Sequence, residues 1–444
     1  MIHTIFKIPK KQLVSLLLLS MLLGVAGIPQ ASAFFQDNLQ EDDIAFTEYK
    51  GEVVDADTKK PLVFATLTVV GTNISTISNT EGTFLLKVPS SMKEANVLIS
   101  FLGYKDLSLP LSDFKDGKNR IAMDVSITEL SEVNIAIPKD AGALVRETLK
   151  KKGENYFEDP TLMTAFYRET IKKRRKNVSL SEAVVNIYKA PYTSLRKDAV
   201  QLYKARKSTD YDKLDTIALK LQGGPFNALF VDIMKYPEYI FAEESLDNYI
   251  FEFDRSTQVN GKLIYVINFK QREDIIDPLY QGKLYIDADK KILTSAIYSL
   301  NITDRDMAAR LFVRKKPRNA NVWPTDVAYR VDYREKNGRW YYGYSNVLLE
   351  FKINWDRRLF NSVYSMTCEM AVTDWEKNDS DGFPKSKQRI KSSIILADAA
   401  TGFTDPDFWG EYNIIEPEKS IESAIKKIQR QLKRTKSTGG AAGR

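Results

Sequence analysis

From residue 48 onward the chain alternates apolar and polar positions in short runs, the pattern of strands with one buried face. Such runs lie at 51–55, 64–70, 84–88, 97–101, 105–111, 121–125 and 133–137. The stretch 76–83 reads as a strand that turns into the next at Asn79, Thr80, Glu81 and Gly82. Turn residues mark the other breaks: Asp57 and Pro61, then Gly71, then Gly103. Six or seven short strands at this spacing predict an antiparallel β-sandwich over 48–137.

The period changes at residue 140. Over 140–152 it is helical: Asp140 is placed to cap the start, Ala143, Leu144 and Leu149 lie near one face, and Gly153 follows the end. Strand patterns return over 165–190 and 245–375, with hairpin turns expected at Asn260-Gly261, at 288–291 and at 336–338. Between them, 196–245 is predicted helical or irregular, broken at Gly223-Gly224-Pro225. Consecutive hairpins make a meander that resembles the half-barrel of envelope lipoprotein carriers. Near the end, Ile421, Ile425, Ile428 and Leu432 fall on one helical face, opposite Lys426, Lys427, Arg430 and Arg434.

The reading is therefore mainly β with some α. A sandwich is followed by a larger antiparallel-sheet, half-barrel-like α+β domain (138–415), an amphipathic C-terminal helix (416–436) and a disordered Gly/Ala-rich tail (437–444). The front is read as a signal peptide, 1–33. Lys7, Lys10 and Lys11 precede an uncharged apolar stretch at 13–28, and Ala31-Ser32-Ala33 gives a small-x-small cleavage pattern. A flexible lead, 34–47, joins it to the sandwich.

Composition narrows the chemistry. The one histidine, His3, leaves with the leader, which excludes histidine-based zinc sites, Ser-His-Asp and Cys-His nucleophiles and histidine phosphotransfer. Catalysis would have to rest on carboxylates, Lys, Tyr or an oxygen-ligated metal. The one cysteine, Cys368, excludes an internal disulfide and a cysteine-linked lipid anchor at the cleavage site. Its alternating surroundings favour a buried core residue over a reactive thiol. Net charge is +7, yet residues 34–135 carry nine basic and sixteen acidic side chains, so the front is acidic and the body basic. That asymmetry suits an anionic membrane surface or an acidic partner. No nucleic-acid partner is expected.

Candidate sites are few. The run Lys172, Lys173, Arg174, Arg175 and Lys176 is the sharpest charge cluster, read as a solvated hairpin tip or as an anionic contact; residues 314–318 form a second. Asn378 to Gly382 resembles a calcium loop but puts Lys377 and Gln388 where carboxylates are needed, which favours a plain turn. Asp405 and Asp407 form a carboxylate pair, more simply a turn leading to the packing residues Phe408, Trp409 and Tyr412. The many tyrosines of the meander read as cross-strand packing or as an aromatic binding surface. No catalytic, cofactor-binding or metal-binding residue is predicted.

Gly51, Val53 and Asp55, then Pro61, Leu62 and Ala65, then Val69, Gly71 and Thr72, then Glu81, Gly82 and Phe84, and finally Gly103 and Tyr104 together resemble the carboxypeptidase-D regulatory-like domain. This resemblance covers about 50–136. It implies a transthyretin-like sandwich without catalytic residues, common at the front of Bacteroidetes outer-membrane proteins. Asn79 stands where an aspartate is usual, and asparagine makes the same turn. Asn155, Tyr156, Pro160, Phe166, Tyr167, Arg168 and Glu169 are similar to the segment that follows this sandwich in some Bacteroidetes envelope proteins. The expected function is a non-enzymatic envelope accessory protein, periplasmic or outer-membrane-associated, that docks an envelope protein partner. The alternatives are a carrier of a lipid or other apolar ligand and a histidine-independent hydrolase.

Overall fold

The computed structural model describes residues 45–115, 117–126, 128–129, 140–174, 176–209, 221–254, 257–259, 262–313, 316, 318–356, 360–379, 382–402 and 408–418. The signal peptide, most of the lead, the run at 133–137 and the C-terminal helix beyond Glu418 lie outside them.

Seven strands form the front module among the described residues: β1 (Phe46–Asp55), β2 (Thr66–Val69), β3 (Ser75–Ile77), β4 (Thr83–Pro89), β5 (Asn96–Ser100), β6 (Leu107–Pro110) and β7 (Lys118–Met123). They make two sheets, β4-β1-β7 and β3-β2-β5-β6, packed around Val53, Leu67, Val69, Phe84, Leu86, Val97 and Ile99. All pairings are antiparallel except β1 with β7. The motif residues have local physical roles. A Cβ at Gly51 would meet the Asn119 carbonyl at 2.3 Å, and Gly82 has φ +74° with the Val53 carbonyl 2.8 Å from where its Cβ would be. Asp55 Oδ1 accepts from the Thr58 N–H at 2.6 Å, and Oδ2 accepts from the Tyr104 hydroxyl at 2.7 Å. Those bonds, the Thr58 one foremost, hold its carboxyl down at about 2.

Among the described residues the larger part of the fold is one thirteen-stranded sheet. Its strands are β8 (Thr128–Glu129), β9 (Thr161–Lys173), β10 (Lys176–Lys189), β11 (Ala199–Thr209), β12 (Tyr249–Phe253), β13 (Thr257–Val259), β14 (Lys262–Gln271), β15 (Tyr280–Asp287), β16 (Ile292–Leu300), β17 (Ala320–Lys336), β18 (Arg339–Trp355), β19 (Ser362–Lys377) and β20 (Thr401–Gly402). The order is β20-β11-β10-β9-β19-β18-β17-β16-β15-β14-β13-β8, with β12 also on β14. Asn337 (φ 53°) and Gly338 (φ 78°) make the expected two-residue turn between Lys336 and Arg339. Asp140 caps the helix Ala141–Lys150 through the Ala143 N–H at 2.9 Å, as its position predicts.

One expectation needs correction. Within 196–245, residues Ala199–Thr209 form a strand, β11, paired along β10 from Ser179 to Tyr188. Its run of Lys204, Arg206 and Lys207 hides the alternation, and pairing with β10 decides the conformation. The remainder, 221–248, is irregular with short helical turns, as expected.

The chain itself covers one face of the sheet and part of the other, on which Ile250 and Ile297 stay exposed. On one, residues 221–248 lay Phe226, Leu229, Met234, Tyr236 and Phe241 over Met163, Tyr167, Val185, Tyr342 and Met370. On the other, Ile77 and Leu85 of the sandwich and Trp409, Ile414 and Ile415 of a C-terminal strap (408–418) cover Phe166, Val184, Tyr344 and Ala371. Consecutive residues Ala165, Phe166 and Tyr167 are therefore all buried.

Candidate functional site

A buried charge network lies beneath each cover. β10 ends at Lys189, whose Nζ lies 2.8 Å from Asp198 and 2.7 Å from Asp232, with all three side chains at 1% exposure or less. Burial alone would lower the Lys189 pKa, but the two carboxylates outweigh it and hold the ammonium above its ordinary value. The rings of Tyr192, Tyr236 and Tyr342 surround the charge, 5.0–5.9 Å from Nζ to ring centroid. Asp232 Oδ1 accepts from the Tyr333 hydroxyl at 3.0 Å, and Asp198 Oδ1 accepts from the Ala190 N–H at 2.9 Å. Lys235 donates to the Pro191 and Ser194 carbonyls, each at 2.7 Å. Asp232, Lys235 and Tyr236 all belong to the covering segment, so this network fastens it.

The second network sits under the strap. Arg168 Nε donates to Glu182 at 2.8 Å, Nη1 to Glu369 at 3.2 Å and Nη2 to the Ile415 carbonyl at 2.7 Å. Arg206 pairs with the other Glu182 oxygen at 2.8 Å and lies 4.7 Å from the centroid of the Trp409 ring. Burial would raise the Glu182 pKa, but the two guanidiniums hold it below the usual range. The sandwich is fastened alongside. Asn413 bonds both the N–H and the carbonyl of Lys87, at 2.8 and 3.0 Å. Arg334 donates to Ser75 and to the Val372 carbonyl, at 2.7 and 2.8 Å. Asn79 reaches the Glu416 carbonyl at 2.9 Å. The β3 and β4 side of the sandwich is thus occupied by its own chain.

A third group is unlike these. Glu169 is buried and accepts from the Tyr167 hydroxyl at 3.0 Å, with no cation paired to it among the described residues. Burial outweighs that hydrogen bond and pushes its carboxyl up to about 7. Its cross-strand neighbour is Cys368, a buried free thiol pushed up to about 12, first by burial and then by Glu169.

The sequence-predicted cluster lies at the β9–β10 hairpin. Lys172 Nζ is 3.6 Å from Glu418, Lys173 lies over the Tyr364 ring, Arg174 occupies the turn at φ 54°, and Lys176 is exposed. Arg175 lies outside the described residues, as do Arg314, Lys315, Ser380, Asp381, Asp405 and Asp407. Trp409 packs edge-on against Phe166, in keeping with a packing role. Among the described residues no group of three or more His, Cys, Asp or Glu could hold a metal, and no helix is long and apolar enough to cross a membrane. Sequence reading missed the Lys189 network. The available signal was a charge inside apolar runs: Lys189 after Ile187, and Asp232 between Val231 and Ile233.

No curated protein matches the chain. Among solved structures, a domain described as that of an outer membrane lipoprotein-sorting protein, from Vibrio parahaemolyticus, is 9% identical (TM-score 0.25, 56% of this chain and 95% of that one). A DUF1329 family protein from Desulfovibrio piger is 10% identical (TM-score 0.25, 58% and 100%). A LolA superfamily protein from Nitrosomonas europaea is 8% identical (TM-score 0.20, 56% and 98%). Likenesses this slight bring none of those proteins' properties to this chain. Residues 49–135 match the family described as the CarboxypepD_reg-like domain, in agreement with the sandwich and with the motif residues that shape it.

Proposed function

We propose that the chain is a non-enzymatic accessory protein of a Bacteroidetes-type cell envelope, docking or scaffolding at the outer membrane. Export rests on the leader read at 1–33. The observation that supports the docking reading best is that the more apolar face of the large sheet is covered by the chain's own segments, and part of the other face by the sandwich and strap. A carrier of an apolar ligand needs an open apolar face, and here residues 221–248 lie on it, tied by the Lys189–Asp232 pair. Chemistry finds little purchase either: the carboxylates of the two networks are paired with cations, and a buried thiol at about 12 is no nucleophile at neutral pH. What the protein offers a partner is its outer surface, acidic in front and basic behind, with the sandwich held as a fixed part of it.

Native mass spectrometry of the protein gently extracted from its own envelope tests this reading. The expected result is a complex with a protein partner and no retained lipid. A stoichiometric mass of lipid size that a salt wash does not release would overturn it in favour of the carrier.

A further inference from the structure

The connections at one end of the sheet bring together two basic segments far apart in sequence. Lys173, Tyr364, Phe351 and Pro324 are successive partners across β9, β19, β18 and β17. The β9–β10 hairpin tip and the start of β17 are thus three strand spacings of about 4.8 Å apart, roughly 14 Å. At the start of β17 the helix Arg305–Phe312 packs against the strand, and between them lies a cleft of about 500 Å3. Arg305, Arg310, Lys316 and Trp323 line it together with Asp306 and Asn321. The Arg305 guanidinium sits 5.9 Å from the centroid of the half-buried Trp323 ring. Two large apolar side chains stand exposed at the same end, Leu311 at 57% and Phe360 at 78%.

The geometry points to this end of the sheet as a docking surface for an anionic lipid bilayer, with the cleft taking a phosphate-bearing headgroup. Basic residues attract the charged surface, a tryptophan suits the headgroup level, and exposed Leu and Phe enter the acyl boundary. Charge complementarity is local. Arg174, Lys176, Arg305, Arg310, Lys316 and Arg318 are exposed here and outnumber the exposed Asp304, Asp306 and Asp356, whereas the next connection along the same end, 272–279, carries Glu273, Asp274 and Asp277 against Arg272 alone. The inference does not depend on which partner the protein docks elsewhere.

The test is co-sedimentation of the envelope-purified chain with vesicles of phosphatidylglycerol and phosphatidylcholine, against vesicles of phosphatidylcholine alone. The chain is expected to bind the anionic vesicles only, to be released by salt, and to shift its tryptophan emission to the blue, a shift that Trp323→Phe removes. The triple variant Arg305→Glu/Arg310→Glu/Lys316→Glu should lose at least about tenfold in partitioning. Lys262→Glu/Lys290→Glu, at the opposite end of the sheet, should bind as the parent does, and matched thermal melts show that all variants fold. Equal binding to both vesicle types, binding to neither, or equal losses in the two charge-reversal variants would overturn the proposal.

Discussion

The two faces of the large sheet are covered in different ways, the second only in part. On one face the cover supplies part of the charge network itself: Asp232 belongs to residues 221–248 and Lys189 to the sheet. On the other face Arg168, Arg206, Glu182 and Glu369 are all sheet residues, and the strap contributes only the Ile415 carbonyl and packing. Lifting the first cover would break the buried Lys189–Asp232 pair and leave Lys189 with Asp198 alone. Lifting the second would leave every charge of the network still paired. The first cover is therefore integral to the fold. The strap and sandwich form a layer held by hydrogen bonds, apolar contacts and the part-exposed Lys172–Glu418 pair, with no fully buried ion pair across the seam among the described residues.

Breaking the first network has the largest expected effect. Lys189→Ala leaves Asp198 and Asp232 buried without their cation and should cost about 3–5 kcal/mol in urea denaturation, with raised hydrogen exchange in 221–248. Glu169 adds a pH dependence to this same face. Its folded pKa, about 7, lies above the ordinary 4.5, so between those values the unfolded chain gives up a proton that the folded chain keeps. Stability should fall by about 3 kcal/mol as pH rises through that window and level off above it. In Glu169→Gln that decline should be absent; an unchanged decline would assign it to other groups.

On the strap side the effects are smaller. Asn413→Ala leaves the buried N–H and carbonyl of Lys87 without the partners that hold them, for a loss of about 2 kcal/mol. Raised exchange should stay within the strap and the sandwich; a rise that spreads to 221–248 would mean that the covers open together. Smallest is Tyr333→Phe, which removes one hydroxyl between Asp232 and the Met234 N–H but keeps the ion pairs, at about 1 kcal/mol by denaturation.

What could be read from the sequence follows from how local each constraint is. The sandwich was legible because Gly51, Asp55, Gly82 and Tyr104 answer to turns and close approaches within one small module. The hairpin at Asn337-Gly338 was legible for the same reason. Alternation along β4 assigns Phe84, Leu86 and Val88 to a core and leaves Leu85 and Lys87 facing water. Both are buried, because a strap more than three hundred residues away covers them. The covering role of 221–248 left no periodic trace, since an irregular segment can fill a face without repeating. The run 172–176 was visible as charge, but its nearness to the cleft beside Trp323 depends on the register of four strands.

Cys368 tests the central claim directly, because it lies on the face that residues 221–248 close and is the only cysteine in the chain. The measurement is the rate at which a thiol reagent labels it under native conditions, compared with the rate of global unfolding. If the chain itself closes this face, labelling proceeds no faster than unfolding. Rapid labelling with the circular dichroism spectrum unchanged would mean that the cover opens in the native protein, and would contradict the account.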